Sequence, residues 1–151
     1  MRHLLLFGYS ILFYPVVVFA AEQALPQRIE WHQQACQFLE AEGKDHHYQS
    51  KSAADCKAIN QRDGKARVKQ AKRTRLKAGV YIFRIYNDDV AYPLGFWLRG
   101  KGLGRITLPS VSGGGIQTGH FKDYKITLKT GDYLYSCPLN PTPDYHLTVI
   151  P

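Results

Sequence analysis

Acidic side chains and cysteine are both scarce in this sequence. Of its 151 residues, 12 are Asp or Glu and 20 are Lys or Arg, which leaves a formal net charge of +8 at pH 7. A basic chain of this kind meets anionic surfaces and acidic partners readily. Three residues are cysteine, and none lies near the N-terminal apolar run, which argues against a lipid anchor at that point.

Recognisable catalytic signatures are lacking as well. No Ser-His-Asp order and no carboxylate pair with supporting context stands out, and the glycines at 113–115 lack the strand-to-helix setting of a phosphate-binding loop. A thiol nucleophile, Cys137 with His120 or His146 as base, would need an activating environment that the sequence does not show. The sequence therefore favours a binding or carrier protein over an enzyme.

Residues 1–20 have the parts of a secretory signal: a basic start, an apolar run and small residues at its end. We expect cleavage after Ala20 or Ala21, a periplasmic or secreted protein, and no membrane span in the mature chain. The alternative, an uncleaved anchor helix, is weakened by the short run and by Pro15. In that compartment we expect a protein partner of the cell envelope and no nucleic acid.

Positive charge is concentrated in residues 57–77. This basic segment holds nine cationic residues against Asp63 alone: Lys57, Arg62, Lys65, Arg67, Lys69, Lys72, Arg73, Arg75 and Lys77. Two interpretations stay open, a solvated connector or a docking patch for an acidic partner.

The N-terminal half predicts two short helices joined by a disulfide. Apolar residues recur at helical spacing over residues 27–42, and residues 52–64 follow a capping signal. Cys36 and Cys56 lie in these two stretches, whereas Cys137 is far away, so we pair Cys36 with Cys56. Closing this loop would stabilise the fold by roughly 3 kcal/mol. Residues 21–64 are thus predicted to be a helical N-terminal extension.

After residue 64 the apolar pattern changes to a period of two. Residues 109–115 are predicted to be a loop, and seven short strands are predicted at residues 67–69, 80–87, 94–99, 105–108, 124–128, 133–137 and 146–150. Gly, Pro, Asn and Asp separate them, and crossover helices are lacking. The sequence therefore predicts a mostly β protein in which an antiparallel Greek-key β-sandwich, residues 65–151, follows a disulfide-stapled helical hairpin.

The sandwich portion resembles the cupredoxin fold. The runs LKAGVYIFRIYND, GGGIQTGHFKDYKITLKTGDYLYSC and YHLTV carry the likeness, through a shared order of glycine, tyrosine and aliphatic residues that ends at Cys137. The resemblance covers about residues 68–151 and is strongest to small exported cupredoxin-like domains associated with bacterial iron-uptake systems. It does not extend to the helical hairpin.

The resemblance implies a copper site at Cys137. Copper-carrying members use a cysteine thiolate, a histidine just after the Asn-terminated strand, a second histidine a few residues beyond the cysteine, and usually a methionine. Here no histidine follows Asn87 closely, the first histidine after Cys137 is His146, and the single methionine is Met1. We therefore expect Cys137, His146 and His120 to form the metal site if the loops fold inward, with copper as the metal.

Other histidines offer a second metal site. His46 and His47, with Asp45 and His32, are candidates for a separate surface site for copper or zinc. Each of these histidines also has a plainer interpretation as a solvated or hydrogen-bonded side chain.

Two functions remain open at this point. The first is a cupredoxin-like protein that binds a redox metal for electron transfer or metal handling beside a membrane uptake or oxidase system. The alternative is a metal-free β-sandwich that serves as a binding or assembly module, with the basic segment and the proline-stiffened loop 137–145 as its contact surfaces.

Overall fold

The computed structural model describes residues 25–151, so the predicted signal sequence and its cleavage point lie outside the described residues. In the described part, no helix is long and apolar enough to cross a bilayer. The elements in chain order are β1 (Gln27–Gln34), β2 (Gln37–Phe38), α1 (Leu39–Glu42), α2 (Ala53–Gln70), β3 (Thr74–Lys77), β4 (Gly79–Asn87), β5 (Leu94–Gly100), α3 (Gly104–Thr107), β6 (Val111–Ile116), β7 (His120–Leu128), β8 (Gly131–Ser136) and β9 (Tyr145–Ile150).

Two sheets form the predicted sandwich. Sheet A has the strand order β2-β1-β4-β7, and sheet B has the order β3-β9-β8-β5-β6. The predicted antiparallel sandwich is confirmed for most strand pairs, and the pairs β1–β4 and β3–β9 are parallel. Five predicted strands are confirmed, as β4, β5, β7, β8 and β9.

Alternation along the strands places one face of each sheet in the core. In β4, Tyr81, Phe83 and Ile85 point inward and are almost fully buried. Trp31 of β1 lies between the sheets, with its ring 5.0 Å from Phe83 and stacked at 4.1 Å on Tyr135 of β8. Large aromatic rings remove much apolar surface from water, so this inter-sheet layer supplies a major part of the folding free energy.

The predicted helix over residues 27–42 is wrong, because its first half is strand β1. Ile29, Trp31 and Gln33 alternate inward, and β1 pairs in parallel with β4 from Gln27 opposite Tyr81 to Gln33 opposite Asn87. The same residues also fit a helical spacing, and local periodicity cannot detect a partner strand about fifty residues away. The N-terminal segment is therefore a strand of sheet A.

The second predicted helix is confirmed and is longer than expected. In α2 the Ser52 N–H donates to the Asp55 carboxylate (3.0 Å), as the capping signal predicted, and the helix continues through Gly64 to Gln70. The predicted edge strand at 67–69 is therefore wrong, and the predicted domain boundary between residues 64 and 65 falls inside α2. The helix continues because the buried Arg67 binds Glu42 of α1.

The stretch after β5 also differs from the prediction. Residues 105–108, predicted as a strand, lie in and just after the single turn α3, whereas the predicted loop 109–115 contains most of β6. A Cβ atom on Gly95 would lie 2.7 Å from the Gly113 carbonyl oxygen. Glycines here let β5 and β6 approach closely, although a run of glycines in sequence is typical of a loop.

Candidate functional site

Cys137 follows β8 directly and is 1% exposed. Its sulfur accepts hydrogen bonds from the backbone N–H groups of Gly95 (3.3 Å) and Asn140 (3.2 Å). Burial raises the pKa of the Cys137 thiol, and the backbone hydrogen bonds oppose that shift only in part. The residue is therefore a neutral thiol at physiological pH, which does not suit it to act as a nucleophile.

Asn140 closes the sandwich beside this sulfur. It is fully buried, and its Oδ1 accepts hydrogen bonds from the Cys36 N–H (2.8 Å) and the Tyr92 hydroxyl (3.3 Å). Its Nδ2 donates to the Gln34 carbonyl oxygen (2.8 Å). A single amide thus satisfies buried backbone groups of the turn between β1 and β2 and holds that turn over the Cys137 end.

The disulfide fixes the same turn from the other side. Cys36 and Cys56 are bonded, as the sequence predicted, and Cys56 Sγ lies 3.1 Å from Asn140 Oδ1. The disulfide therefore joins α2, the β1–β2 turn and the loop that follows Cys137. The Cys137 end of the sandwich is closed by these three segments.

The structure does not bring the predicted imidazole ligands to Cys137. His146 lies opposite Leu134 and points to the outer face of sheet B, because its neighbours Tyr145 and Leu147 face the core. His120 is exposed at the start of β7, where its Nδ1–H donates to the Thr118 carbonyl oxygen (2.9 Å).

Within residues 25–151, no three His, Cys, Asp or Glu side chains are grouped so that they could hold a metal ion. None of residues 138–145, the stretch beyond Cys137 where the resemblance implies a histidine, is a histidine, and Asn140 in that stretch has both polar ends of its amide bonded. The described residues therefore do not fit the trigonal set of one thiolate and two imidazoles that copper requires in this fold.

The candidate surface histidines bind different carboxylates. His46 Nε2 lies 2.6 Å from Glu42 Oε2, His47 Nδ1 lies 2.9 Å from Asp45 Oδ2, and His32 Nδ1 lies 2.9 Å from Asp88 Oδ1. They do not form the single cluster that a surface copper or zinc site would need. The plainer interpretation, hydrogen-bonded side chains, describes all three.

A buried ionic network connects the helices to sheet B. The side chains of Arg67 and Glu42 are 5% and 3% exposed, with Arg67 Nη2 at 2.5 Å from Glu42 Oε1, and the Tyr145 hydroxyl also donates to Glu42. Burial alone would raise the pKa of Glu42, but hydrogen bonds from Arg67 and Tyr145 bring that pKa below its usual range. Sequence inspection missed this network, because Arg67 looks like one more cation of a basic run.

The rest of the basic segment is exposed. Its two nearby carboxylates are already engaged: Asp55 accepts hydrogen bonds at the start of α2, and Asp63 lies 3.6 Å from Arg67 and accepts from the Tyr48 hydroxyl. Eight cationic residues of the segment face solvent: Lys57, Arg62, Lys65, Lys69, Lys72, Arg73, Arg75 and Lys77. This surface attracts anions.

No family model matches the chain, and no curated protein matches its sequence. Solved structures do match. Auracyanin B aligns over 85% of this chain and 93% of its own, with a TM-score of 0.52 at 14% identity. The fold is cupredoxin-like. The chain is also similar to auracyanin A, a "blue" copper protein from Chloroflexus aurantiacus, at 13% identity over 83% of this chain and 99% of that one, with a TM-score of 0.48. A reduced amicyanin mutant aligns at 17% identity over 54% of this chain and 71% of its own, with a TM-score of 0.38.

Identities this low show the fold alone, so metal content and partners do not transfer from these proteins to this chain. The predicted association with iron-uptake systems likewise stays a prediction.

Proposed function

We propose that this chain is an exported, metal-free module of cupredoxin-like fold that binds an anionic partner through the exposed cations of α2 and β3. The observation that carries the proposal is the closure of the Cys137 end by Asn140. Its side chain bonds Cys36 and Gln34, and its N–H bonds the Cys137 sulfur, in a loop that has no histidine between Cys137 and Tyr145.

The basic segment supplies the binding chemistry. Arg62, Lys65 and Lys69 lie within one side of α2, and Arg75 and Lys77 point outward from β3. Exposed like charges repel one another across short distances, and a bound polyanion relieves that repulsion. The module therefore gains most from a partner with several negative charges.

A copper centre for electron transfer is the second candidate function. One observation favours it: Cys137 directly follows β8 in a cupredoxin-like fold, where the resemblance implies the thiolate ligand. That function would require two histidines to reach the sulfur, which now accepts hydrogen bonds from the Gly95 and Asn140 N–H groups.

Salt-dependent retention on immobilised polyglutamate tests the proposed binding. We expect the protein to be retained at low ionic strength, and Lys65→Glu/Lys69→Glu to elute at much lower salt. The matched control is Lys125→Glu/Lys129→Glu, which changes net charge equally at exposed positions of β7 and the turn after it. If both variants elute alike, total charge and not the α2 surface governs binding, and the proposal is wrong.

A further inference from the structure

The segment of residues 101–107, here called the tip, exposes two large apolar side chains. Leu103 and Ile106 are each 85% exposed. They lie three residues apart around the single turn α3, a spacing that puts both side chains on the same side. The tip extends from the end of β5 that is remote from Gly95 and the Cys137 sulfur.

The tip is held in a fixed shape. The Lys101 N–H donates to the Asp132 carbonyl oxygen (2.8 Å), and the Leu108 N–H donates to the Gly104 carbonyl oxygen (2.9 Å). Leu108 itself packs against the backbone of Gly131, so tightly that a Cβ there would lie 2.8 Å from Leu108 Cδ1. One leucine of this stretch is therefore tucked in, while Leu103 and Ile106 are held out in water.

Two arginines contact the same aromatic ring where the tip joins β5. The Arg105 guanidinium lies 5.3 Å from the ring centre of Trp97, and Arg99 lies over the same ring at 4.0 Å. Arg99 also pairs with Asp144 (2.7 Å), whereas Arg105 and Lys101 are exposed. The two apolar side chains are thus flanked by two exposed positive charges.

The register of sheet B connects the tip to the basic segment. Across its outer face, Arg99 lies opposite Leu134, which lies opposite His146. In the adjacent rows, Arg75 of β3 lies opposite Thr148, and Lys77 lies opposite Ile150.

His146 is on this face, and Thr74, the residue after Arg73, lies opposite its neighbour Leu147. Burial, followed by the positive charges of Lys101 and Arg73, lowers the pKa of His146. The acidic Asp132 on the same face is bonded to the Thr148 hydroxyl (2.8 Å). The outer face of sheet B and the tip therefore present exposed cations of β3 and of the tip together with the exposed pair Leu103 and Ile106.

We infer that the anionic partner is a lipid surface, into which Leu103 and Ile106 insert while the cations of the tip and β3 pair with acidic headgroups. An acidic polysaccharide, or an acidic polypeptide without apolar side chains, would satisfy the charges but leave both apolar side chains in water. An anionic bilayer can bind the cations with its headgroups and take up the two apolar side chains at its interface. This inference rests on the proposed function and names its partner.

Sedimentation with lipid vesicles tests the inference. The full chain is purified in the form that its host exports, so that all variants share the same N-terminus. We expect binding to vesicles of phosphatidylcholine mixed with phosphatidylglycerol, and none to phosphatidylcholine alone. Leu103→Ser/Ile106→Ser should weaken binding by about tenfold or more, because two interfacial apolar contacts are lost. Leu25→Ser is the control, since Leu25 is 87% exposed and lies outside the tip.

Three results would overturn the inference. If the tip variant binds the mixed vesicles as tightly as the parent, the apolar pair does not insert. If the parent protein does not bind vesicles but is still retained on polyglutamate through α2, the partner is a soluble anion, and only the proposed function holds. If the parent protein binds neither vesicles nor polyglutamate, both proposals are wrong.

Discussion

The two ends of β5 differ in how their side chains are used. At the Gly95 end, Cys137 and Asn140 are buried, and Asn140 bonds both the β1–β2 turn and the Cys137 sulfur. At the Gly100 end, Leu103 and Ile106 stand almost wholly in water. Under the proposed function, the cysteine end of the sandwich is structural, and the exposed apolar and cationic side chains at the opposite end bind the partner.

The largest effect should come from breaking the buried ion pair that ties α2 to the closed end. Arg67→Ala leaves the Glu42 carboxylate buried without its cation, so we expect the free energy of unfolding to fall by about 3–5 kcal/mol in urea titrations. Arg62→Ala is the control, because its side chain is 71% exposed, and it should change stability by less than about 0.5 kcal/mol. Equal losses in both variants would show that the network is not structural.

Removing the disulfide should have the next largest effect. Cys36→Ala/Cys56→Ala opens a loop with a sequence separation of 20, which should cost about 3 kcal/mol of unfolding free energy. Reductant should bring the parent protein down to the stability of this variant and leave the variant unchanged. A parent protein insensitive to reductant would contradict the role given to the disulfide.

Asn140→Ala tests the closure itself. The substitution leaves the Cys36 N–H and the Gln34 carbonyl oxygen unpaired, so the unfolding free energy should fall by about 1–3 kcal/mol. Cys137 should also react faster with a thiol reagent in the native protein. Leu139→Ala, at a neighbouring side chain that is 46% exposed, should leave the thiol reaction slow. An unchanged Cys137 reaction rate in Asn140→Ala would mean that other groups close this end.

Several features of this chain are predictable from short-range sequence patterns, and others depend on contacts between distant residues. Strong local alternation identified β4, and the nearness of Cys36 to Cys56 identified the disulfide. The position of Cys137 at the end of β8 was likewise predictable. The role of Asn140 was not, because its bond to the Cys36 N–H joins residues 104 positions apart.

The missed strands have the same kind of cause. β1 is defined by its parallel pairing with β4, and β6 by glycines whose small size matters only once β5 lies beside them. Local patterns record neither contact. The predicted convergence of His120 and His146 on Cys137 failed for the same reason. It depends on which way the strands face, and the sequence alone does not determine that.

A smaller effect should appear on the outer face of sheet B as pH falls. Since the folded state lowers the pKa of His146, the unfolded chain binds the proton more readily. The neutral imidazole therefore contributes stability that is fully present above the unfolded pKa of about 6.5 and is lost as the pH falls from there through the lower folded pKa. Urea titrations between about pH 8 and pH 5.5 should show the loss, above the range where Glu42 protonates. His146→Gln should flatten this dependence, and an unchanged slope would contradict the assignment.

The smallest effect on folding is expected at the tip. Leu103→Ser and Ile106→Ser should each change the unfolding free energy by less than about 0.5 kcal/mol, because neither side chain is buried. Thermal unfolding of the variants without lipid measures this. A large loss of stability would show that these side chains support the fold. The claim that the two ends of β5 differ in how their side chains are used would then be wrong.

The most direct test of the account is the visible absorption spectrum of the purified protein titrated with copper(II). A closed, metal-free Cys137 end predicts no intense thiolate-to-copper band, with spectra of the parent protein and Cys137→Ser that superimpose. An intense band that saturates at one copper per chain and disappears in Cys137→Ser would contradict the central claim and establish a copper centre instead.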